Sequence, residues 1–423
     1  MSRLERLRDR EAREGRPVRI ALVGAGQMGR GLAAQIGRIP GMELAVAVDV
    51  DGARARAALK LAGQDVIEDD PSRFVAAIAD GVAVATTDVS VLPEFDIDVV
   101  VEATGVPEVG AEVAHRSLLA KQHVIMLNVE ADVTVGLYLD AIARSSGVVY
   151  SIADGDEPVA AKELVDLAHE LAFEVVCAGK GKNNPFIPTA TPESCADEAA
   201  RKHMNPKMLA SFQDGSKTMI EMAALANATG LPPDVTGMHG PSGSVEELRS
   251  ILIPTADGGI LSGSGRVEYA FGPAPGVFVI VTSDDPAVAE EMAYLSMGEG
   301  PYWALYRPFH LASIEAPRTI TTAMLDGIPA LRPAGWTAEV IATAKRDLVP
   351  GDVLDGIGGR HVRGVTYRAD DAAGLLPLGL AEGATIDRRI AAGEPITTDA
   401  AETRPSVIGH LRALQDRLLR TAP

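Results

Sequence analysis

The chain has 423 residues, of which 47% are hydrophobic and 23% charged, a composition typical of a soluble globular protein with more than one domain. Its 58 acidic side chains exceed its 39 basic ones and give a net charge of −19, which disfavours nucleic acid and anionic membrane surfaces as partners. The only cysteines, Cys177 and Cys195, offer neither a disulfide framework nor a zinc motif.

The segment before Val18 bears on localisation. Charged residues outnumber apolar ones there, so it lacks the apolar stretch of a secretory signal. No uncharged apolar run reaches the ~20 residues that a membrane-spanning helix needs. We therefore expect a cytoplasmic protein.

Short apolar runs recur through the first 155 residues. They are apolar throughout rather than alternating, as in parallel strands covered by helices on both faces. The runs occupy residues 18–23, 44–48, 82–85, 97–101, 124–127 and 148–152. We predict a doubly wound parallel α/β domain over residues 1–155.

Beyond residue 155 this alternation loosens. Strand candidates at 173–178 and 276–282 are separated by a polar stretch at 183–206 and a helix candidate at 214–230, and another helix candidate spans 286–295. We predict an α+β domain over residues 156–332 that binds the substrate.

The last section, residues 333–423, contains a weak internal repeat. Residues 345–354 and 387–396 each run through a basic pair, an aliphatic residue, a turn with glycine and an acid, and a second aliphatic residue. We predict a small β-rich third domain with a helical tail at 410–420.

A glycine motif follows the first predicted strand. Gly24, Gly26 and Gly29 open a helix, and Asp49 ends the next predicted strand. In that context the first glycine permits a tight turn, the second lets a pyrophosphate approach the backbone, and the third lets helix pack on strand. The helix terminus adds amide hydrogens and partial positive charge. The motif predicts a dinucleotide site, with a ligand-free glycine turn as the alternative.

Asp49 bears on which dinucleotide binds. Its carboxylate is expected to accept hydrogen bonds from the adenosine ribose, which favours NAD. Arg54 and Arg56 are near enough in sequence to meet a 2′-phosphate, so NADP stays open.

Two polar segments at 102–105 and 128–130 close later predicted strands. Ligands bind at the carboxyl ends of strands in open α/β sheets, so we expect the nicotinamide between these segments; ordinary loop caps are the alternative. The expected cofactor-binding residues are Gly24, Gly26, Gln27, Met28, Gly29, Asp49, Ala103, Thr104, Gly105, Asn128 and Glu130.

An acidic cluster follows the last strand of the first domain. Asp154, Asp156 and Glu157 offer carboxylate oxygens to a divalent cation such as Mg²⁺ or Mn²⁺. Acids ahead of Pro158 also make an ordinary helix start, which is the alternative.

Two lysines end a strand of the second domain. Lys180 and Lys182 are two residues apart, so in extended geometry both ammonium groups leave the same face. Like charges side by side repel unless an anion lies between them. The pair predicts a site for a phosphate or carboxylate, with one lysine able to donate a proton to a carbonyl oxygen. The alternative is a pair of solvated lysines.

The helix candidate at 214–230 begins with polar residues. Asp214 is a candidate cap. Lys217 and Glu221 share a face and could form a surface ion pair, yet lysine before glutamate is the weaker order, and a cation in the first turn opposes the helix dipole. We expect Lys217 to be placed for an anion, and include Asp214 and Glu221 in the candidate catalytic set.

The remaining reactive residue types carry no local pattern. His203, His239 and His310 are expected to face solvent or to be satisfied in the core, and both cysteines to be inert core thiols.

These motifs together resemble a known family. The stretches GAGQMG, EATG, NVEAD, GKGKNN and DGSKTMIEMAALANATGL, with the repeat-containing last section, are similar to homoserine-dehydrogenase-like oxidoreductases that carry a carboxy-terminal SAF domain. Within that group the chain looks most like the deoxyxylulose-phosphate reductoisomerase-like, or type II, enzymes. The resemblance implies a Rossmann domain, a catalytic and dimerisation α+β domain, an SAF domain, and a homodimer or larger homo-oligomer.

The resemblance also bears on the substrate. Homoserine dehydrogenases have an aspartate and a catalytic lysine on the helix that matches 214–230, and here the matching positions are Lys217 and Glu221, with the charges exchanged. This favours an anionic, sugar-like substrate over an amino acid.

We therefore expect an NAD(P)-dependent oxidoreductase or reductoisomerase for a small anionic carbonyl compound such as a sugar phosphate or sugar acid. Lys180 or Lys182 would protonate the oxygen, Lys217 would anchor the anion, and Glu221 would orient a lysine or hydroxyl. A homoserine-type dehydrogenase and a non-catalytic NAD(H)-binding regulator are the alternatives.

Overall fold

Strands and helices alternate through the first 156 residues of the computed structural model, which describes residues 1–421. The strands are β1 (Val18–Val23), β2 (Met42–Val48), β3 (Ile67–Glu68), β4 (Ala83–Thr86), β5 (Val99–Glu102), β6 (His123–Met126) and β7 (Tyr150–Ile152). The helices are α1 (Arg3–Glu14), α2 (Gln27–Ile36), α3 (Gly52–Leu61), α4 (Phe74–Ala79), α5 (Pro107–Leu119) and α6 (Val129–Ser146).

The seven strands form one sheet in the order β3-β4-β2-β1-β5-β6-β7, and every neighbouring pair is parallel. This confirms the predicted doubly wound domain. The strand order reverses between β1 and β5, and such a switch point is where open α/β sheets bind ligands, outside the carboxyl ends of the strands. The glycine motif follows β1, and the 102–105 segment follows β5.

Residues 157–310 build a second, mixed sheet. Its helices are α7 (Glu157–Glu170), α8 (Ala196–Arg201), α9 (Pro206–Gln213), α10 (Ser216–Thr229), α11 (Val245–Ile251) and α12 (Pro286–Tyr294). Its strands are β8 (Glu174–Gly181), β9 (Arg266–Ala270), β10 (Val277–Thr282) and β11 (Tyr302–Arg307). In the order β11-β10-β8-β9, only β8 and β9 are parallel. The predicted α+β architecture is confirmed, although the sequence did not predict β9 or β11.

Between residues 311 and 421 the structure has two α-helices and four strands. They are α13 (Ala312–Asp326), β12 (Ala338–Ala344), β13 (Val362–Arg368), β14 (Thr385–Ile386), β15 (Ala401–Glu402) and α14 (Val407–Thr421). The two copies of the internal repeat lie against each other. The Leu348 amide donates to the Ile390 carbonyl at 2.9 Å, and the Ile390 amide donates to the Leu348 carbonyl at 3.2 Å.

The chain divides into two compact units. The first unit comprises residues 1–156, 311–332 and the chain from 410 onward; the second comprises 157–310 and 333–409. The predicted division into residues 1–155, 156–332 and 333–423 differs from this one, because residues 311–332 and 410–421 belong to the first unit. Residues 333–409 do not stand apart as a third unit, because β13 packs on α10: the Gly364 amide donates to Ser216 Oγ and the Thr366 hydroxyl to the Met219 carbonyl, both at 2.8 Å.

Each unit has its own apolar core. In the first, Ala316 and Ile320 of α13 join residues of β1, α2 and β2. In the second, Val176, Phe278 and Ile280 of the mixed sheet pack against α11. Within residues 1–421, no helix is long and apolar enough to cross a membrane.

Candidate functional site

The glycine loop after β1 shows two kinds of glycine. Gly24 has φ +93°, and a Cβ there would lie 2.8 Å from the Ala103 carbonyl carbon; a Cβ on Gly29 would lie 1.9 Å from the Gly24 carbonyl oxygen. A Cβ on Gly26 would meet no protein atom within 4 Å, and Gly26 caps α2 without a side-chain hydrogen bond. Packing of the protein itself therefore requires Gly24 and Gly29, whereas Gly26 leaves open space at a helix amino terminus.

Asp49 ties the end of β2 to this loop. Its Oδ2 accepts from the Ala25 amide at 2.8 Å and its Oδ1 from the Asp51 amide at 2.9 Å. Both arginines considered for a 2′-phosphate face carboxylates, Arg54 at 3.6 Å from Asp51 and Arg56 in an ion pair with Asp69. Gln27 and Met28 are exposed on the first turn of α2.

A buried acid ends β5. Glu102 is fully buried, and its Oε1 accepts from the Thr104 amide at 2.9 Å. Its Oε2 has no hydrogen-bond partner among the residues that the structure describes. Burial raises the pKa of Glu102 to about 7. The sequence predicted ligand contacts in this segment but gave no sign that this carboxyl is buried.

Asn128 caps α6. Its Oδ1 accepts from the Ala131 amide at 3.1 Å, and its Nδ2 donates to the Val106 carbonyl at 3.0 Å. The loop-cap alternative thus describes what Asn128 does within the protein. Ala103 is half-buried, Gly105 is exposed, and Glu130 is buried in the first turn of α6.

The acidic cluster that was a candidate metal site has other partners. Asp154 Oδ2 accepts from the Thr319 hydroxyl at 2.8 Å within the first unit. Glu157 Oε1 accepts from Lys180 Nζ at 2.7 Å within the second unit. Asp156 is buried at the end of the first unit. The metal site stays a prediction.

Lys180 is the centre of a charged cluster in the second unit. Its ammonium contacts Glu157, which opens α7, and Glu221, in the second turn of α10. Lys180 is 6% exposed and Glu221 2%. Two carboxylates therefore hold this ammonium. His310 Nε2 lies 3.4 Å from Glu157 Oε1, so His310, which was expected to have no role, belongs to the cluster.

The cluster shifts the acidity of its members. Burial works to lower the pKa of Lys180, but the two carboxylates outweigh it and raise that pKa. The pKa of Glu157 falls because the attraction of Lys180 and His310 outweighs the effect of burial. The pKa of Glu221 rises because of burial and the neighbouring charge of Glu157. Lys180 therefore stays protonated throughout the physiological range.

Lys182 has a different environment. Its Nζ donates to the Phe212 carbonyl at 2.5 Å. Burial, together with the charge of Lys180, lowers the pKa of Lys182 to about 8. The charge of Lys180 is balanced by carboxylates of the protein, and the anion expected between the two lysines stays a prediction. Lys217 Nζ lies 4.0 Å from Glu221 Oε1, and the near-complete burial of Glu221 corrects the alternative of a surface ion pair.

Asp214 is fully buried near the start of α10. Its Oδ1 accepts from the Ser216 amide at 2.7 Å, and its Oδ2 lies 2.6 Å from Lys345 Nζ. Lys345 also donates to the Ala190 and Gly359 carbonyls, both at 2.7 Å. The prediction that Asp214 caps α10 is wrong: the capping residue is Gly215, and the Asp214 carboxylate is occupied by an ion pair within the protein. No local pattern around Lys345 could have indicated that pairing.

The two units together define an α/β protein with a parallel dinucleotide-type sheet and a mixed sheet that carries buried lysines. Residues 155–316 match a family model described as "Oxidoreductase DRL, catalytic domain". That range contains Glu157, Lys180, Lys182, Glu221 and His310, so the charged cluster lies in a segment similar to an oxidoreductase catalytic domain. No curated protein matches the chain.

Solved structures show a distant likeness. An oxidoreductase domain protein from Kribbella flavida is 19% identical over 42% of this chain and 46% of its own, with a TM-score of 0.31. A scyllo-inositol dehydrogenase from Lactobacillus casei is 15% identical over 69% of this chain and 76% of its own, with a TM-score of 0.39. The WlbA dehydrogenase from Bordetella pertussis is 14% identical over 69% of this chain and 66% of its own, with a TM-score of 0.34. The chain thus spans under half of the first of these proteins, and the fold assignment rests on the strand topology rather than on these likenesses.

Proposed function

We propose that the protein is an NAD(P)-dependent oxidoreductase acting on a small anionic carbonyl or hydroxy compound. The observation that carries the proposal is the buried arrangement of Lys180 between Glu157 and Glu221, with the less basic Lys182 two residues away. Buried lysines with perturbed pKa values are typical of sites that transfer protons. The match of this segment to an oxidoreductase catalytic domain supports the same reaction class.

The residues of the glycine loop fit a dinucleotide. The open space at Gly26 and the free amides at the start of α2 would hold a pyrophosphate. Each Asp49 oxygen accepts one amide and has a second lone pair for a ribose hydroxyl. The ion pairs of Arg54 and Arg56 favour NAD over NADP, because a 2′-phosphate would have to compete with a carboxylate. The bound nicotinamide would supply or accept the hydride.

Lys182 is the better proton donor of the two lysines. General acid catalysis is most efficient when the pKa lies near the working pH, and the pKa of Lys182 is about 8. Lys180 is held by two carboxylates and keeps its proton, so it is the poorer proton donor. In reduction, Lys182 gives its proton to the substrate oxygen, and in oxidation it takes that proton back.

The substrate class follows from the charges. The positive charges of Lys182 and Lys217 favour an anion such as a sugar phosphate or sugar acid. The resemblance to reductoisomerase-like enzymes adds the finer proposal that a rearrangement of the carbon skeleton precedes reduction. We derive no step through a metal ion, since Lys180 lies between Glu157 and Glu221.

The test is a screen of sugar phosphates, sugar acids and neutral aldehydes by absorbance of the reduced nicotinamide, run with NADH and with NADPH. We expect turnover of at least one anionic carbonyl compound, and greater turnover with NADH. Homoserine serves as a comparison substrate. Tight dinucleotide binding without oxidation of NADH or NADPH by any compound would instead favour the non-catalytic regulator.

A further inference from the structure

Arg363 lies in β13, in the last section of the chain, outside the segment that matches the catalytic-domain model. Its guanidinium lies over the Phe186 ring, 5.6 Å from the ring centre. Arg363 is half-buried. Within residues 1–421 no carboxylate forms an ion pair with Arg363, and its guanidinium donates no hydrogen bond to protein.

Two contacts place Arg363 beside the start of α10. The amide of Gly364, the next residue, donates to Ser216 Oγ at 2.8 Å. The edge of the Phe186 ring lies 2.7 Å from the position of a Cβ on Gly215. Arg363, Phe186 and the first turn of α10 therefore form one packed group.

Lys182 belongs to the same neighbourhood. Its ammonium donates to the carbonyl of Phe212, three residues before Gly215. The charge of Asp214 acts on both Lys182 and Arg363. Arg363 and the lysine to which we assign the proton transfer therefore both lie near the start of α10.

The charges of this group do not balance within the protein. Asp214 is paired with Lys345 at 2.6 Å, so its charge is already offset. Glu221 is shared by Lys180 and Lys217. Arg363 is only half-buried, and a guanidinium on an aromatic face keeps its N–H donors accessible to a ligand. A ligand with two acceptor oxygens would satisfy them.

We propose that Arg363 binds the anionic group of the substrate, so that the last section of the chain sets the specificity of the site. The planar guanidinium matches two oxygens of a phosphate or a carboxylate at once. This inference rests on the proposed function and adds a specificity-determining residue to it.

The test measures anion binding by calorimetry with the full chain. Wild type, R363Q, R363K and the control R368Q are titrated with inorganic phosphate and, separately, with acetate. Arg368 is on the same strand and half-buried, but its guanidinium donates to the Pro233 carbonyl. We expect R363Q to weaken binding of the preferred anion at least about tenfold, R363K to weaken it less, and R368Q to leave it unchanged. The anion that loses more affinity identifies a phosphate ester or a sugar acid as the substrate.

Unchanged affinity for both anions in folded R363Q would overturn the proposal, as would a wild-type chain that binds neither. If R363Q does not fold, judged by circular dichroism, R363K takes its place. It is titrated at high pH and high salt, where a lysine that lacks the planar fork binds an anion poorly. An R363K affinity equal to that of wild type under those conditions overturns the proposal. The proposed function fails separately: it requires K182M to lose turnover, whatever the anion affinity of R363Q.

Discussion

The two units form their candidate sites in different ways. In the first, the glycine loop, Asp49 and the segment after β5 are close in sequence to the ends of adjacent parallel strands, and the contacts come mostly from backbone. In the second, Glu157, Lys180 and Glu221 come from three separate elements and meet through their side chains. A change in the first unit should therefore act through backbone geometry, and a change in the second through charge.

The largest expected effect is on turnover. Lys182→Met removes the proton donor, and we expect kcat to fall about 10²–10⁴-fold, while the Kd for NADH stays as in wild type. Lys202→Met is the matched control, because Lys202 is exposed, directly follows α8 and pairs with Glu198 of that helix. Turnover and NADH affinity, the latter from fluorescence titration, are measured on each variant. Equal losses of both in K182M would count against the proposed role.

The next effect is on stability. Asp214→Asn leaves Lys345 charged and buried without its carboxylate, and we expect the free energy of unfolding to fall by about 3–5 kcal/mol. Glu193→Gln, which breaks the exposed pair with Arg360, should leave the free energy of unfolding nearly unchanged. Urea unfolding measures both. A D214N chain as stable as wild type but without turnover would place Asp214 in catalysis instead.

Two glycine substitutions separate packing from cofactor binding in the first unit. Gly29→Ala forces a Cβ against the Gly24 carbonyl and should cost about 1–3 kcal/mol of stability. Gly26→Ala adds a methyl group into open space, so the thermal midpoint should stay unchanged while NADH affinity falls. If G26A binds NADH as tightly as wild type, the pyrophosphate does not lie at that position.

The pH dependence gives the mildest effect. The lowered pKa of Lys182, about 8, means that Lys182 carries its proton below pH 8 and loses it above. The reduction rate should be constant below that pH and fall up to about tenfold per unit above it, and the oxidation rate should show the opposite trend. Lys182→Arg stays protonated and should remove the inflection near pH 8 along with most of the turnover. A wild-type profile that is flat from pH 7 to about 10 would exclude Lys182 as the titrating group.

Sequence patterns predicted most strands of the first unit but only some of the strands of the second. Continuous apolar runs predicted β1, β2 and β4–β7 because a parallel strand buried on both faces leaves that signature, and the two-residue β3 has none. The strands β9 and β11 include charged or polar residues, such as Glu268 and Arg307, that obscure the pattern.

The candidate site shows the same limit. Lys180, Lys182, Lys217 and Glu221 were chosen as candidates because their spacing within a strand or helix is informative. The sequence did not identify the partners of these residues, because the ion pairs Glu157–Lys180 and Asp214–Lys345 join residues that are far apart in sequence. His310 and Arg363 carry no local pattern at all, and only the folded chain shows which charges they meet.

The most direct test of a hydride-transfer enzyme with a lysine proton donor is isotopic. With NADH carrying deuterium at the transferable C4 position and an anionic carbonyl substrate from the screen, mass spectrometry of the product should show deuterium on the reduced carbon, and K182M should form that product far more slowly while still binding NADH. A product without deuterium, or a K182M chain that forms the labelled product at the wild-type rate, would contradict the assignment.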